Sequence, residues 1–126
     1  MGTSSMIANH NEDGTVTATY CHYDGYLSYN GKMLVENYNT PEKAKAVAEA
    51  GYLSSLKDNL YESVVDSVHN DPSVQYDSPQ HFFDEAADYC GSEYLYLFDG
   101  EAWFVREVYG KAGYEEVEMN LAASAA

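Results

Sequence analysis

The sequence predicts an α+β fold, with one antiparallel sheet that is formed by N-terminal and C-terminal hairpins and backed by two to four helices. Strand-like alternation of β-branched and aromatic residues flanks Asp-Gly turn signals near both ends of the chain. Between these ends lie segments with apolar residues at helical spacing and with helix caps. The length fits a single domain over residues 1–121, and residues 122–126 are expected to form a disordered tail.

The N-terminal hairpin is predicted from an apolar run at residues 6–8 and an alternating segment at residues 15–23. Asp13-Gly14 supplies the turn signal between them. Asp24-Gly25 is expected to end the second strand.

Two helices are expected to follow as a bent pair. The first covers residues 33–38 and has Ser28 or Asn30 as its candidate cap. The second begins at the cap Thr40, with proline next in the first turn, and stops at Gly51.

Residues 52–77 contain core candidates but no clear period, so the choice between helix and strand stays open there. The segment 78–91 is the strongest helix, because Ser78 is a cap, proline occupies the first turn and Gly91 ends it. A second hairpin is predicted at residues 93–98 and 102–109 around Asp99-Gly100-Glu101, and a last strand at residues 114–119.

Charge is the dominant feature of the composition. The chain has 21 acidic and 6 basic residues, a formal net charge of −15. Residues 58–126 contain fifteen acidic and two basic residues, so the C-terminal half carries most of the negative charge. Direct binding of nucleic acid or of anionic membranes is therefore excluded as the leading function, since both need lysine and arginine. No stretch is apolar enough for a membrane span, and a cytoplasmic protein is expected.

Candidate chemistry is weaker than the charge signal. The segment 20–26 contains Cys21, His22 and Asp24, but neighbouring strand residues point to opposite faces, which argues against a catalytic pair. The four histidines lack metal-ligand spacing, and Cys21 and Cys90 are expected to be buried thiols. No enzyme activity, cofactor or metal is expected.

The acidic residues of the C-terminal half are predicted to form a partner-binding surface. A net charge of 15 exceeds the roughly 2 to 8 that solubility needs in a small domain, and clustered like charges cost stability. Thirteen tyrosines add side chains that suit an interface. The predicted partner-binding residues are Asp71, Asp77, Asp84, Glu85, Asp88, Glu93, Tyr94, Tyr96, Asp99 and Glu101.

A resemblance to a known family rests on stretches at residues 1–7, 11–16 and 20–26, extends through residues 31–34 and Tyr38, and continues more weakly at residues 94–99 and Trp103. These stretches resemble a family of short, mostly uncharacterised proteins of bacteriophages and bacteria. The chain departs from that family at Ser4, Tyr23 and Leu27, where members usually carry Arg, Trp and Pro. The resemblance implies a phage-type origin and no catalytic residues.

The leading hypothesis is a phage-encoded, non-enzymatic inhibitor that imitates DNA. It would occupy the basic surface of a host nucleic-acid-binding protein in a restriction, CRISPR or transcription complex. One alternative is a small-ligand or nucleotide-binding protein or enzyme with a pocket around residues 20–29. Another is a virion structural subunit, and the oligomeric state stays open.

Overall fold

A computed structural model describes residues 3–65, 71–86, 92–108 and 115–116. It contains one six-stranded sheet with the strand order β3-β2-β1-β4-β5-β6. The strands are β1 (Ser5–His10), β2 (Val16–Cys21), β3 (Val74–Tyr76), β4 (Tyr94–Phe98), β5 (Trp103–Glu107) and β6 (Glu115–Glu116). The helices are α1 (Lys32–Asn37), α2 (Pro41–Ala48), α3 (Leu60–Val65) and α4 (Pro79–Glu85). The α+β prediction, with strands near both ends and helices between them, is confirmed.

The sheet is mixed, which corrects the prediction of a purely antiparallel one. The two predicted hairpins form, as β1–β2 and β4–β5, but they join through a parallel pairing of β1 with β4. Between β3 and β4 the chain passes through α4 and enters β4 from the end of the sheet where β1 begins. A parallel neighbour requires such a crossover, whereas hairpin signals report only antiparallel neighbours.

Both faces of the sheet are covered by helices in the described ranges. On one face, Ile7 and Tyr96 pack with Leu34 of α1 and Val47 of α2. On the other face, apolar side chains of β1, β2, β3 and β4 pack with Phe82 and other residues of α4. Successive strand residues alternate between these faces, so a central strand is buried on both sides. We call them the helix-pair face and the α4 face.

Helix caps behave as predicted at two of the three sites. The Thr40 hydroxyl accepts a hydrogen bond from the backbone N–H of Lys43 at 3.2 Å, and the Ser78 hydroxyl accepts one from His81 at 3.1 Å. The prediction of Ser28 or Asn30 as the first cap is wrong, because a π-helical turn at Leu27–Gly31 runs directly into α1. Asn30 is fully buried instead.

The remaining expectations have mixed outcomes. The open segment 52–77 contains an isolated bridge of Leu53 with Cys21, then α3 and β3. Of the predicted helix 78–91, α4 covers Pro79–Glu85, and residues 87–91 lie outside the described residues. The predicted last strand is present at Glu115–Glu116, while the predicted tail 122–126 also lies outside.

Candidate functional site

Three turns emerge at one end of the sheet and carry acidic side chains. Because β1 and β4 are parallel, the β1–β2 turn and the β4–β5 turn lie at the same end. β3 also ends there, since Tyr76 pairs with Val16 at the start of β2. We call this end the turn edge and define it by five exposed carboxylates, which belong to Glu12, Asp13, Asp77, Asp99 and Glu101.

A groove confirms that neighbouring turns meet. It has a volume of about 750 Å³ and runs between the turns and α2. Glu12 and Asp13 of the first turn line it together with Gly100 of the second. Lys45 of α2 and Glu49, which follows α2, also line it. The β1–β2 and β4–β5 turns therefore border the same groove.

The turn-edge carboxylates lack lysine and arginine partners. Among the described residues, no carboxylate lies within 4.0 Å of a lysine or arginine nitrogen. The His81 ring lies beside Asp77, where its Nδ1 accepts the Asp77 backbone N–H at 3.0 Å and lies 3.8 Å from Asp77 Oδ2. The same ring also contacts Glu85 of α4. The charge of the edge is thus left almost uncompensated by internal pairing.

Two of the five carboxylates also hold their turns in shape. Asp13 accepts hydrogen bonds from the hydroxyl and the backbone N–H of Thr15, at 2.6 and 3.0 Å. The Thr15 hydroxyl bond, followed by the backbone bond, lowers the pKa of Asp13 and keeps it ionised at neutral pH. Asp99 accepts from the backbone N–H groups of Glu101 and Ala102, both at 2.9 Å.

The predicted partner-binding residues divide between several parts of the molecule. Asp77, Asp99 and Glu101 lie on the turn edge. Asp84 and Glu85 are exposed on α4, whereas Asp71 and Glu93 lie at the opposite end of the sheet, before β3 and β4. Asp88 lies outside the described residues. The ten residues do not form a single patch.

The assignment of Tyr96 to the partner surface is wrong. Its side chain is fully buried on the helix-pair face, and its hydroxyl donates a 2.6 Å hydrogen bond to the Gly25 carbonyl. Burial raises the pKa of this hydroxyl well above its usual range. Tyr94 is partly buried and stacks on Tyr96 with ring centroids 6.3 Å apart. Because β4 is buried on both faces, its tyrosines Tyr94 and Tyr96 pack in the core and do not form an exposed interface.

Sequence reasoning missed Glu12 and Asp13, because it placed the acidic surface in the C-terminal half. The available signal was the pair of Asp-Gly turns, at Asp13-Gly14 and Asp99-Gly100. Two hairpin turns share an edge only if their first strands run parallel. That pairing of β1 with β4 was not predicted, so the two turns were not brought together.

The segment 20–26 does not assemble a nucleophile with its base, as the strand geometry predicts. Cys21 is buried on the helix-pair face, whereas the exposed His22 follows it on the other side. His22 Nδ1 lies 3.0 Å from the Tyr20 hydroxyl, and its ring packs against Tyr23 and Tyr52. The alternative of a small-ligand pocket around residues 20–29 stays a hypothesis.

The Cys21 thiol is expected to be unreactive in the folded protein. Burial raises its pKa from 9.0 to about 11, so at pH 8 its thiolate fraction falls about 100-fold. Labelling of a Cys90→Ala variant with a thiol-reactive disulfide should therefore be at least ~100-fold slower in buffer than in denaturant. Equal rates in the two solutions would show that Cys21 is accessible as a thiolate.

Two further findings concern the described residues only. No three histidine, cysteine or acidic side chains in those ranges come together in an arrangement that would hold a metal ion. The helices found there are too short or too polar to cross a bilayer.

Comparison of the chain with protein-family models, with curated proteins and with solved structures finds no match in any of the three.

Proposed function

We propose that the protein is a phage-encoded, non-enzymatic inhibitor that acts in the host cytoplasm. Its turn edge would occupy the basic surface of a host nucleic-acid-binding protein, in a defence or transcription complex. The observation that carries this proposal is the row of five exposed carboxylates on three adjacent turns, without lysine or arginine partners in the described ranges. The proposed binding surface therefore lies at one edge of the sheet and includes residues from both halves of the chain.

The spacing of the row supports phosphate mimicry. With neighbouring strands about 4.8 Å apart, the distance from β3 to the middle of the β4–β5 turn is roughly 17 Å. Five carboxylates over this length give about one charge per 3–4 Å. A single DNA strand carries one phosphate per ~3.4 Å of axis. A basic groove that accepts a phosphate row therefore meets a similar charge density on this edge.

The absence of internal pairing also has an energetic meaning. Like charges held together oppose folding through mutual repulsion, and a basic partner relieves that repulsion on binding. The same field speeds encounter with a basic surface, and salt screens it. Binding through the turn edge should therefore be fast and strongly salt-dependent.

The proposal predicts that reversing turn-edge charges strongly weakens capture of the host partner. The test variant combines Glu12→Lys, Asp77→Lys and Glu101→Lys, and it keeps Asp13 and Asp99 because they hydrogen-bond their own turns. Wild-type protein immobilised in bacterial lysate should retain a nucleic-acid-binding protein that duplex DNA releases. The edge variant should retain it at least about tenfold less well, since each lost ion pair costs roughly 0.5–1 kcal/mol.

A matched control variant separates the effect of the turn-edge positions from the effect of the net charge. The variant with Glu36→Lys, Glu62→Lys and Asp71→Lys changes the net charge equally, at exposed positions away from the turn edge. This control should retain the partner as the wild type does, with elution at a similar salt concentration. Equal loss in both variants, or capture that DNA does not compete, would contradict a phosphate-like edge.

A further inference from the structure

We propose that the groove beside the turn edge is a socket for the guanidinium group of a partner arginine. This inference rests on the proposed function and names the side chain that the acidic edge receives. The socket is lined by Asn9 of β1, by Glu12 and Asp13 of the β1–β2 turn and by Glu49, which follows α2.

A chain of polar side chains lies along the sheet side of the groove. Asn9 Nδ2 donates to Asn11 Oδ1 at 3.1 Å. Asn11 Nδ2 lies 3.1 Å from the Thr15 hydroxyl oxygen and 2.9 Å from that of Thr17. The Thr17 hydroxyl in turn donates to Gln75 Oε1 at 3.0 Å. These five side chains connect β1, β2 and β3 across the end of the sheet.

The Asp13 carboxylate sets the direction of the hydrogen bonds that join Thr15, Asn11 and Asn9. An ionised carboxylate only accepts, so the Thr15 hydroxyl donates to it and must accept from Asn11 Nδ2. Asn11 therefore points its carbonyl oxygen toward Asn9, and Asn9 donates a hydrogen bond to that oxygen through its amide nitrogen. The orientation of both carboxamides follows from one fixed charge.

As a result, the side-chain carbonyl oxygen of Asn9 is free to accept a hydrogen bond from a ligand. The Asn9 side chain is held in place with only 7% of its surface exposed, and it lines the groove. Its Oδ1 accepts no hydrogen bond from any described residue, yet it is not among the fully buried atoms. Water can reach this oxygen from the groove, and a ligand that carries an N–H donor would take the place of that water.

The charges around the groove select a cation as that donor. Three carboxylates line it, against one lysine, Lys45, which has no ion-pair partner among the described residues. A guanidinium group is planar and offers five N–H donors in a fixed fork, so it can bond the Asn9 carbonyl and a carboxylate together. A lysine ammonium is a compact point charge that keeps its hydration more strongly. The groove should therefore prefer arginine.

The test uses two blocked pentapeptides, with a central arginine or a central lysine between glycines. Nuclear magnetic resonance titration reads the side-chain amide signals of Asn9, Asn11 and Gln75 directly. The arginine peptide should shift these signals and bind about five- to tenfold more tightly than the lysine peptide. Asn9→Ala should remove that preference, whereas Asn39→Ala, at an exposed asparagine outside the groove, should keep it.

A second variant tests the groove independently, in case the Asn9→Ala variant does not fold. Lys45 is exposed on α2, and Lys45→Gln should tighten binding of both peptides about threefold, because a like charge leaves the groove. Equal affinity for the two peptides, or shifts only at residues outside the groove, would overturn the socket. That result would leave the difference in capture between the edge and control variants intact. Loss of that difference would instead overturn the proposed function.

Discussion

Replacing Trp103 by alanine is expected to lower the free energy of unfolding by about 3–5 kcal/mol. Trp103 begins β5, is 2% exposed, and packs edge-on against Phe98 with ring centroids 5.3 Å apart. Its indole N–H donates a 3.1 Å hydrogen bond to the Tyr38 carbonyl at the end of α1. The truncation leaves a large cavity on the helix-pair face and an unpaired carbonyl beside it. Urea unfolding followed by circular dichroism measures the change.

Trp103→Phe separates packing from the hydrogen bond. Phenylalanine refills most of the volume but cannot donate to Tyr38, so a loss of about 1–3 kcal/mol is expected. A midpoint shift with an unchanged dependence on urea would identify both effects as changes in stability. Wild-type stability of the alanine variant would mean that Trp103 is not a central part of this core.

Trp103 also bears on the proposed function, because its hydrogen bond ties the start of β5 to the end of α1. Asp99 and Glu101 precede it by a few residues, and Gly100 faces α2 across the groove. A destabilised hairpin spreads these charges over more positions, which weakens a surface that depends on their spacing. The core and the acidic edge are therefore linked through one side chain.

The local parts of the fold are predictable from sequence for a physical reason. Thr40 and Ser78 cap helices because their hydroxyls reach a backbone N–H three residues ahead. Asp13-Gly14 and Asp99-Gly100 form turns because Asp and Gly suit the backbone that tight turns require. Each of these signals acts within a few residues, so the sequence contains it without knowledge of the rest of the fold.

The candidate site depends on information that is not local. Glu12 and Asp99 share an edge only because β1 pairs with β4 across about ninety residues of chain. Tyr96 is core only because helices cover both faces of β4, and tyrosine composition alone suggested an interface. The net charge predicted a basic partner, but the position of the proposed binding surface follows from the strand order.

Gly51→Ala is expected to destabilise the protein by about 2–4 kcal/mol, through two separable effects. Gly51 follows α2 with φ +83°, a backbone conformation that costs an alanine roughly 1–2 kcal/mol. A Cβ atom there would lie 2.6 Å from the Asp71 carbonyl oxygen, which accepts the backbone N–H of Tyr52 at 2.8 Å. This oxygen cannot move away without loss of that bond, so the clash adds to the backbone strain.

Gly100→Ala isolates the first of these effects. Gly100 has φ +109°, but a Cβ atom there meets nothing within 4 Å, so only conformational strain of about 1–2 kcal/mol is expected. The difference in unfolding free energy between the Gly51→Ala and Gly100→Ala variants then measures the cost of placing a Cβ atom against the Asp71 carbonyl, which is the contact between residues 51 and 71. This contact joins the segment after α2 to the segment before β3. Equal losses would mean that the chain before β3 shifts enough to accept the added methyl group.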